Sequence, residues 1–161
     1  MNPLDNPSVQ RVQRALAQSG SAARVIALAD TARTAQDAAD SIGTALGSIV
    51  KSLLFMVGGQ AVMALVAGDR QCDLKALPAA LSLSGTARRA NADEVRTATG
   101  YAIGGVAPVG WPLPLPVAID ASLRRFPTVY AAAGHPHCVF ATSVAELERL
   151  TGGRISETIG R

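Results

Sequence analysis

Lys51 is the first residue of this chain whose position could carry chemistry. It lies in an apolar segment that reads as a strand, and strand alternation places it on the same face as Leu53 and Phe55. Ser52 lies on the opposite face. An unpaired ammonium is costly to bury, so Lys51 must reach water, a carboxylate or a ligand. Extension of the side chain past a sheet edge and ligand binding both fit this pattern.

The type of residue at position 51 is itself informative. The chain has 15 basic residues, and only Lys51 and Lys75 are lysine. A compact ammonium and a planar guanidinium serve different purposes, so lysine at position 51 is not an arbitrary positive charge. Arg88 and Arg89, with Arg96 nearby, form the densest basic group, which could meet phosphates or form a solvated face.

The glycine loop, residues 104–108, is the second candidate. It contains Gly104, Gly105, Val106 and Pro108. Backbone amides without side-chain shielding, next to a rigid proline, suit close approach of a phosphate, a carboxylate or an oxyanion. A tight turn explains the same glycines, and the spacing is not that of a dinucleotide fingerprint or a P-loop.

Two histidines and a thiol lie together late in the chain, at His135, His137 and Cys138. The group invites a zinc interpretation, but Pro136 disfavours a regular strand here and the sequence has no second ligand cluster. We therefore predict no metal, and expect His137 to form hydrogen bonds within a pocket. A cysteine nucleophile would need a histidine base oriented by a third group, which the sequence does not identify.

Composition restricts the class of protein. With 161 residues the chain has the size of one domain, so we expect residues 1–161 to form a single unit. An aromatic content of 4% argues against a stacking platform for single-stranded nucleic acid, and a net charge of +3 is too mild to demonstrate a polyanionic partner. The longest apolar stretch is broken by Gly58 and Gly59, and the start resembles no signal peptide, so we expect a cytoplasmic protein with reduced thiols and no membrane contact.

The elements that must position these residues follow from local signals. We predict helices beginning after Asn6, after Thr34 with a capping box and extending to Leu46, at Asp73, after Asn91, and after Ser143 with a capping box. We predict strands over residues 24–28, 48–57, 61–67, 117–120, 128–133 and 137–141, with a short strand closing the chain. The segments 48–57 and 61–67 form a hairpin that is apolar on both faces and should be central. This order predicts an α/β protein of the α+β type, with a mixed, largely antiparallel sheet or partial barrel flanked by helices.

Several spaced segments together resemble one known family. They are Thr34-Ala35 with Ala38-Ala39, the segment 49–53, Gly68-Asp69-Arg70, the segment 99–108 and Ala132-Ala133-Gly134. In this order they are similar to the YbaK family of aminoacyl-tRNA deacylases, which includes the editing domain inserted in bacterial prolyl-tRNA synthetases. The similarity runs from about Val9 to Ile159.

The resemblance implies a YbaK-like fold and a free-standing enzyme that removes a wrongly attached amino acid from tRNA. Alanine, cysteine or serine on proline tRNA is the implied substrate, and no cofactor or metal is implied. The family's essential lysine falls on Lys51 and its loop on Gly104, Gly105 and Pro108, with Gly134 as a pocket wall and His137 at a matching late position. Lys51, Gly104 and Gly105 are thus predicted to be catalytic, and Ser52, Val106, Pro108, Gly134 and His137 to contact substrate.

Three further expectations follow from the same resemblance. Trp111 departs from a histidine that often follows the loop in this family, which concerns the loop exit and substrate choice. The implied partners are the acceptor end of aminoacyl-tRNA and prolyl-tRNA synthetase. A non-catalytic module that binds aminoacyl-tRNA or another ligand, and a hydrolase of small activated esters, are the alternative functions.

Overall fold

The computed structural model describes residues 2–30 and 32–161, which form five α-helices and eight β-strands. The helices are α1 (Pro7–Gln18), α2 (Ala35–Ile42), α3 (Ala76–Ala80), α4 (Ala92–Thr99) and α5 (Val144–Thr151). The strands are β1 (Val25–Ala27), β2 (Ile49–Val57), β3 (Gln60–Ala67), β4 (Ala87–Arg89), β5 (Val117–Asp120), β6 (Val129–Ala132), β7 (Cys138–Thr142) and β8 (Arg154–Ser156). Short 3-10 helices span Pro3–Asp5, Leu46–Ser48 and Ala121–Arg125.

The strands form one open mixed sheet in the order β1-β7-β6-β2-β3-β5-β8, with β4 paired to β2 outside this path. Four pairings in the described residues are antiparallel and three are parallel. The predicted fold class is confirmed, and the sheet is not closed into a barrel. None of the helices in residues 2–30 and 32–161 has the length and apolar character needed to cross a membrane.

The β2–β3 hairpin is central and covered on both faces, as its apolar pattern predicts. One buried cluster joins Val9 and Leu16 of α1 to Leu65 of β3. A second cluster on the other face joins Leu77 of α3 to Val66 of β3. Because both faces exclude water, a charged side chain on either face needs a specific partner or an opening.

β2 has different partners along its two edges. One edge pairs with β3 from Val50 to Val57. The other edge pairs with β6 only at Ile49 and Val50, in parallel, and with β4 only from Phe55 to Val57. Residues 51–54 therefore lie between the ends of two different strands on that edge, and we call this interruption the notch.

Helix caps fix the segments on either side of the notch. At the start of α2, the Thr34 hydroxyl accepts from the Asp37 amide and the Asp37 carboxylate accepts from the Thr34 amide. At the start of α4, Asn91 and Glu94 form the same reciprocal pair. Gly100 then ends α4 in the left-handed conformation, at φ 79°. Both predicted capping sites are confirmed.

Two predicted helices are shorter than expected. α2 ends at Ile42 because Gly43 adopts φ 82° and its amide bonds to the Ala39 carbonyl, so Leu46 belongs to a separate 3-10 helix. The helix predicted from Asp73 begins only at Ala76. The Leu77 amide still bonds back to the Asp73 carbonyl at 3.1 Å, and the Asp73 side chain accepts from the Ala76 amide. Pro78 has no N–H to bond to the Leu74 carbonyl, so the regular helix begins only after this first turn.

The predicted capping box of α5 is only half formed. The Ser143 hydroxyl accepts from the Glu146 amide, as expected. The Glu146 carboxylate instead accepts from the hydroxyls of Ser21 and Thr142, which tie it to the loop between α1 and β1 and to the end of β7. The prediction was wrong in this detail because these two hydroxyls compete with the Ser143 amide for the carboxylate.

Candidate functional site

A cavity of about 480 Å³ opens at the notch of β2. Its walls come from the start of α2, from β2, β4 and α4, from the glycine loop and from the β6–β7 hairpin. The lining residues are Arg33, Thr34, Ala35, Ala38, Ile49, Val50, Lys51, Ser52, Leu53, Leu54, Arg89, Ala90, Val95, Ile103, Gly104, Val106, Tyr130, Ala132, Pro136 and Val139.

The structure places half of the predicted site residues in this lining. Lys51, Ser52, Gly104 and Val106 line the cavity. Within the described residues, Gly105, Pro108, Gly134 and His137 do not. The lysine and the first part of the glycine loop, which no sequence pattern could join, thus share one cavity. Of the four outside it, Gly105 and Gly134 lie where the loop packs against the β6–β7 hairpin.

Lys51 is half-buried at the cavity wall, and its Nζ donates to the backbone carbonyl of Arg70. Burial lowers the pKa of Lys51, and the nearby Asp69 carboxylate only partly offsets this. Arg125 already holds that carboxylate through a two-fold contact at 2.8 and 2.9 Å, and repulsion by Arg89 further lowers the pKa of Lys51. The ammonium therefore retains capacity for an anionic ligand.

The glycine loop packs closely against the β6–β7 hairpin. Gly104 has φ 96° and faces the cavity. A Cβ on Gly105 would lie 2.9 Å from the backbone nitrogen of His135 and 3.0 Å from the carbonyl carbon of Gly134. Only glycine at position 105 permits this approach, so the loop is seated against rigid backbone. The parts of the loop that line the cavity, Gly104 and Val106, are thereby held in place.

Hydrogen bonds also brace the loop from its far side. The buried Tyr101 hydroxyl donates to the Val109 carbonyl at 2.6 Å, and Arg11 lies 4.3 Å from the centre of the Tyr101 ring. The Trp111 indole donates to the Ala107 carbonyl at 2.8 Å. Trp111, the position at which this chain departs from the pattern of the family it resembles, therefore holds the loop exit. It lies outside the main cavity. With Pro108 it lines a second, smaller depression.

The late histidine segment forms a tight turn. Gly134 adopts φ 90°, and a Cβ there would lie 2.8 Å from the carbonyl of Ser8, at the start of α1. The His135 ring nitrogen Nδ1 accepts from the His137 amide at 3.0 Å, and the two rings contact edge to face. Gly134 thus seats the turn on α1. In residues 2–30 and 32–161 no three His, Cys, Asp or Glu side chains are grouped as metal ligands.

Arg33 and Arg89 are the charged lining residues that sequence reasoning did not assign to the site. With Lys51 they are the charged residues of the lining, and all three are cationic. The neighbouring Arg88 faces away and forms a two-fold ion pair with Glu94 at 2.8 and 2.9 Å. Strand alternation places Arg88 and Arg89 on opposite faces of β4. Assigning Arg89 to the site from the sequence would have required recognising β4 as a strand and knowing its register with β2.

Both cysteines are expected to resist alkylation in the folded protein. Burial, assisted by the nearby Asp73, raises the pKa of Cys72 to about 11, and burial raises the pKa of Cys138. The thiolate is the reactive form, so at pH 8 only about 0.1% of Cys72 would be ionised. Iodoacetamide at pH 8, followed by mass spectrometry, should show modification only after denaturation in urea. Rapid alkylation of either thiol in the folded protein would restore the cysteine-nucleophile hypothesis.

Comparison with known proteins agrees with this geometry. Residues 29–150 match the family model of the aminoacyl-tRNA editing domain. The uncharacterized protein YwhH of Bacillus subtilis (strain 168) is 34% identical over 123 residues, which cover 76% of this chain and 77% of that protein. The proline--tRNA ligase of Solidesulfovibrio magneticus is 32% identical over 104 residues, which cover 65% of this chain but only 18% of the ligase.

Solved structures extend the similarity to the whole fold. A proposed trans-editing enzyme for prolyl tRNA synthetase superposes with a TM-score of 0.91 at 39% identity, covering 97% of this chain and 98% of that one. The hypothetical protein APE2540 superposes with a TM-score of 0.84 at 26% identity, covering 94% and 99%. The resemblance seen in the sequence is confirmed, and the chain belongs to the aminoacyl-tRNA editing domain family.

Proposed function

We propose that this protein is a trans-editing hydrolase that cleaves the ester between a small amino acid and tRNA. Alanine, cysteine or serine on proline tRNA is the proposed substrate, in keeping with the relatives named for prolyl tRNA synthetase and proline tRNA. The observation that carries the proposal is the meeting of Lys51 and Gly104 in one cavity whose charged lining residues are all cationic. Such a lining suits the phosphate next to the esterified adenosine.

The chemistry requires positioning more than a strong base. An aminoacyl ester is already activated, so hydrolysis needs the ester held still, a water admitted and the developing oxyanion stabilised. The described lining contains no carboxylate, histidine or thiol. We assign water activation to the ribose hydroxyl beside the ester, oxyanion stabilisation to the loop amides at Gly104 and Val106, which line the cavity, and anchoring of the terminal phosphate to Lys51. The Gly105 amide, predicted to share the oxyanion role, already donates to the Ala102 carbonyl at 3.1 Å.

The remaining predicted residues receive supporting roles in this proposal. Ser52 and Val106 contact the aminoacyl group from the cavity wall. Gly134 and His137 lie outside the lining and position the glycine loop through its packing on the β6–β7 hairpin. Pro108 also lies outside the lining, at the loop exit beside Trp111. Because the walls of the cavity are mostly aliphatic, they favour a small uncharged side chain over a charged one.

A panel of charged tRNAs tests the function. Proline tRNA carrying alanine, cysteine, serine, threonine or proline is incubated with the protein, and the loss of ester is followed over time. We expect hydrolysis of at least one small mischarged amino acid and protection of prolyl-tRNA. If no member is hydrolysed but tRNA still binds, the non-catalytic binding module becomes the better description. Equal activity on small esters without tRNA would favour the small-ester hydrolase.

Arg89 is expected to contribute to tRNA binding, while Arg88 is not. Arg89 lines the cavity, whereas Glu94 already neutralises Arg88. Arg89→Gln should raise KM for charged tRNA by about tenfold at low salt and reduce by about one the slope of log affinity against log salt. Arg88→Gln is the matched control, with a much smaller effect on both quantities. Equal salt slopes for the two variants would show that Arg89 does not contact a phosphate of the tRNA.

A further inference from the structure

At the notch, one residue of β2 directs its backbone N–H and C=O away from β3, toward an edge where no strand lies opposite it. The Gly68 amide donates to the Ile49 carbonyl at 2.7 Å, which fixes the antiparallel ladder between β2 and β3. Backbone groups alternate between the two edges of a strand, so Lys51 and Leu53 point theirs at β3. Ser52, between them, points its N–H and C=O at the notch.

The neighbours that also face this edge are occupied. Val50 is in register with Ala131 of β6. The Leu54 carbonyl accepts from the Ala90 amide at 3.2 Å. In residues 2–30 and 32–161, no strand pairs with Ser52 on this side. The notch thus leaves the backbone N–H and C=O of a single residue, Ser52, without a strand partner, and Ser52 lines the cavity.

The side chain of Ser52 adds to this deficit. Its Oγ is buried and has no hydrogen-bond partner in the described part of the protein. A donor and an acceptor on the backbone and a buried hydroxyl therefore converge at one residue of the cavity wall. Polar groups left without partners in such a place are costly, so a ligand that satisfies them gains affinity and is held in one orientation.

We propose that the aminoacyl group of the substrate pairs with Ser52 as a one-residue β-strand, an inference that rests on the proposed function. In an extended aminoacyl ester the amine and the carbonyl oxygen point the same way, as N–H and C=O do in a strand residue. The amine donates to the Ser52 carbonyl, and the Ser52 N–H donates to the ester carbonyl oxygen. The second bond strengthens as negative charge develops on that oxygen during water attack.

This pairing makes the α-amine a recognition element. The cationic lining disfavours an additional positive charge, so the amine, whose ordinary pKa is about 8, is expected to bind unprotonated. A neutral amine still donates to the Ser52 carbonyl. The space is limited to one residue by the paired Val50 and Leu54, so the notch accepts a single amino acid and no peptide.

The decisive experiment compares two esters on the same tRNA. Proline tRNA carrying alanine and proline tRNA carrying a propionyl group, which lacks only the amine, are hydrolysed by the wild-type protein. Each enzymatic kcat/KM is divided by the spontaneous hydrolysis rate of the same ester. We expect the corrected value to be at least about tenfold higher for the alanyl ester.

Equal corrected values would overturn the pairing while leaving the deacylase proposal intact. That outcome would also be expected if Ser52 instead held the adenine edge, which offers a similar donor and acceptor. If the panel shows hydrolysis only of the cysteinyl or seryl ester, that ester and its analogue without the amine are compared instead. No hydrolysis of any of these esters would overturn the proposed function together with this inference. The wild-type comparison requires no variant, so it decides the question even if a substitution at Ser52 fails to fold.

Two substitutions separate the backbone of Ser52 from its hydroxyl. Ser52→Ala keeps both backbone groups and should keep the preference for the alanyl ester. Ser52→Pro removes the N–H that faces the notch, and a sheet tolerates proline where that N–H has no strand partner. It should lower the corrected kcat/KM for the alanyl ester by at least about tenfold. Loss of the preference in Ser52→Ala would assign recognition to the hydroxyl and contradict the backbone pairing.

Discussion

Replacement of Lys51 by methionine is expected to lower kcat/KM for deacylation by about 10²- to 10³-fold, the usual effect of losing one preorganised electrostatic contact. Methionine retains an unbranched side chain of similar length and removes only the charge. Lys75→Met is the matched control, because Lys75 is the chain's other lysine and lies exposed outside the cavity lining. Single-turnover deacylation of the mischarged tRNA identified by the panel measures both variants.

The same substitution is expected to leave the protein as stable as the wild type or more so at neutral pH. Burial lowers the pKa of Lys51 even though Asp69 attracts its charge, so the folded environment on balance disfavours the ammonium. Between the lowered pKa and the ordinary value of 10.5, the unfolded chain binds a proton that the folded chain does not. Wild-type stability should therefore rise with pH across that window.

Urea unfolding at pH 7 and at pH 10 measures this effect, and the rise should be absent in Lys51→Met. A lysine that costs stability but is needed for activity is what a functional site predicts. Full deacylation by Lys51→Met would remove Lys51 from the mechanism. A marked loss of stability in Lys51→Met would instead identify its bond to the Arg70 carbonyl as a structural contact.

Local signals in the sequence predicted the elements well because they act within a few residues. The cap at Asn91 depends on Glu94, three residues later, and the two-residue connection at Gly58 and Gly59 defines the central hairpin. The helix predicted from Asp73 forms as α3, but it is shorter than predicted because Pro78 lies within it and the Asp73 side chain bonds to the Ala76 amide. These interactions are also local, and Pro78 is the visible signal in the sequence that the helix would be shortened.

The cavity could not be predicted because it depends on pairings between distant segments. The notch exists since β6 and β4 join the same edge of β2 and stop short of each other. Alternation placed Lys51 and Ser52 on opposite faces, and both nevertheless line one cavity because the interruption opens the sheet between its faces. Arg89 entered the site through β4, a three-residue strand that has no periodic signal.

The resemblance and the structure assign different positions to Gly134. The resemblance implies a pocket wall, whereas in the structure Gly134 packs against Ser8 of α1 and lies outside the lining. The link to the site is indirect, because the carbonyl carbon of Gly134 and the backbone of His135 form the surface on which Gly105 rests. The role of Gly134 in positioning the loop stays a prediction. A substitution at Gly105, the loop residue that packs against it, tests this role.

Gly105→Ala is expected to reduce kcat/KM for deacylation by about 10²-fold. The new Cβ would lie 2.9 Å from the backbone nitrogen of His135, and backbone cannot yield as a flexible side chain can. The loop must then move off the β6–β7 hairpin and carry Gly104 with it, and displacement of a catalytic group by about 1 Å can cost this much activity. The crowding should also cost about 1–3 kcal/mol of stability.

Gly59→Ala separates the loss of stability from the loss of activity. Gly59 lies in the β2–β3 turn at φ 85°, and a Cβ added there would have no neighbouring atom within 4 Å, so alanine strains the backbone without contacting the site. The strain should cost about 1–2 kcal/mol, close to the cost at Gly105. Melting curves should therefore shift similarly for both variants, while deacylation falls only in Gly105→Ala. If Gly105→Ala lost stability but retained its rate, the seating of the loop would be structural. The Ser52 amide, already proposed to donate to the ester carbonyl oxygen, would then be the remaining oxyanion donor.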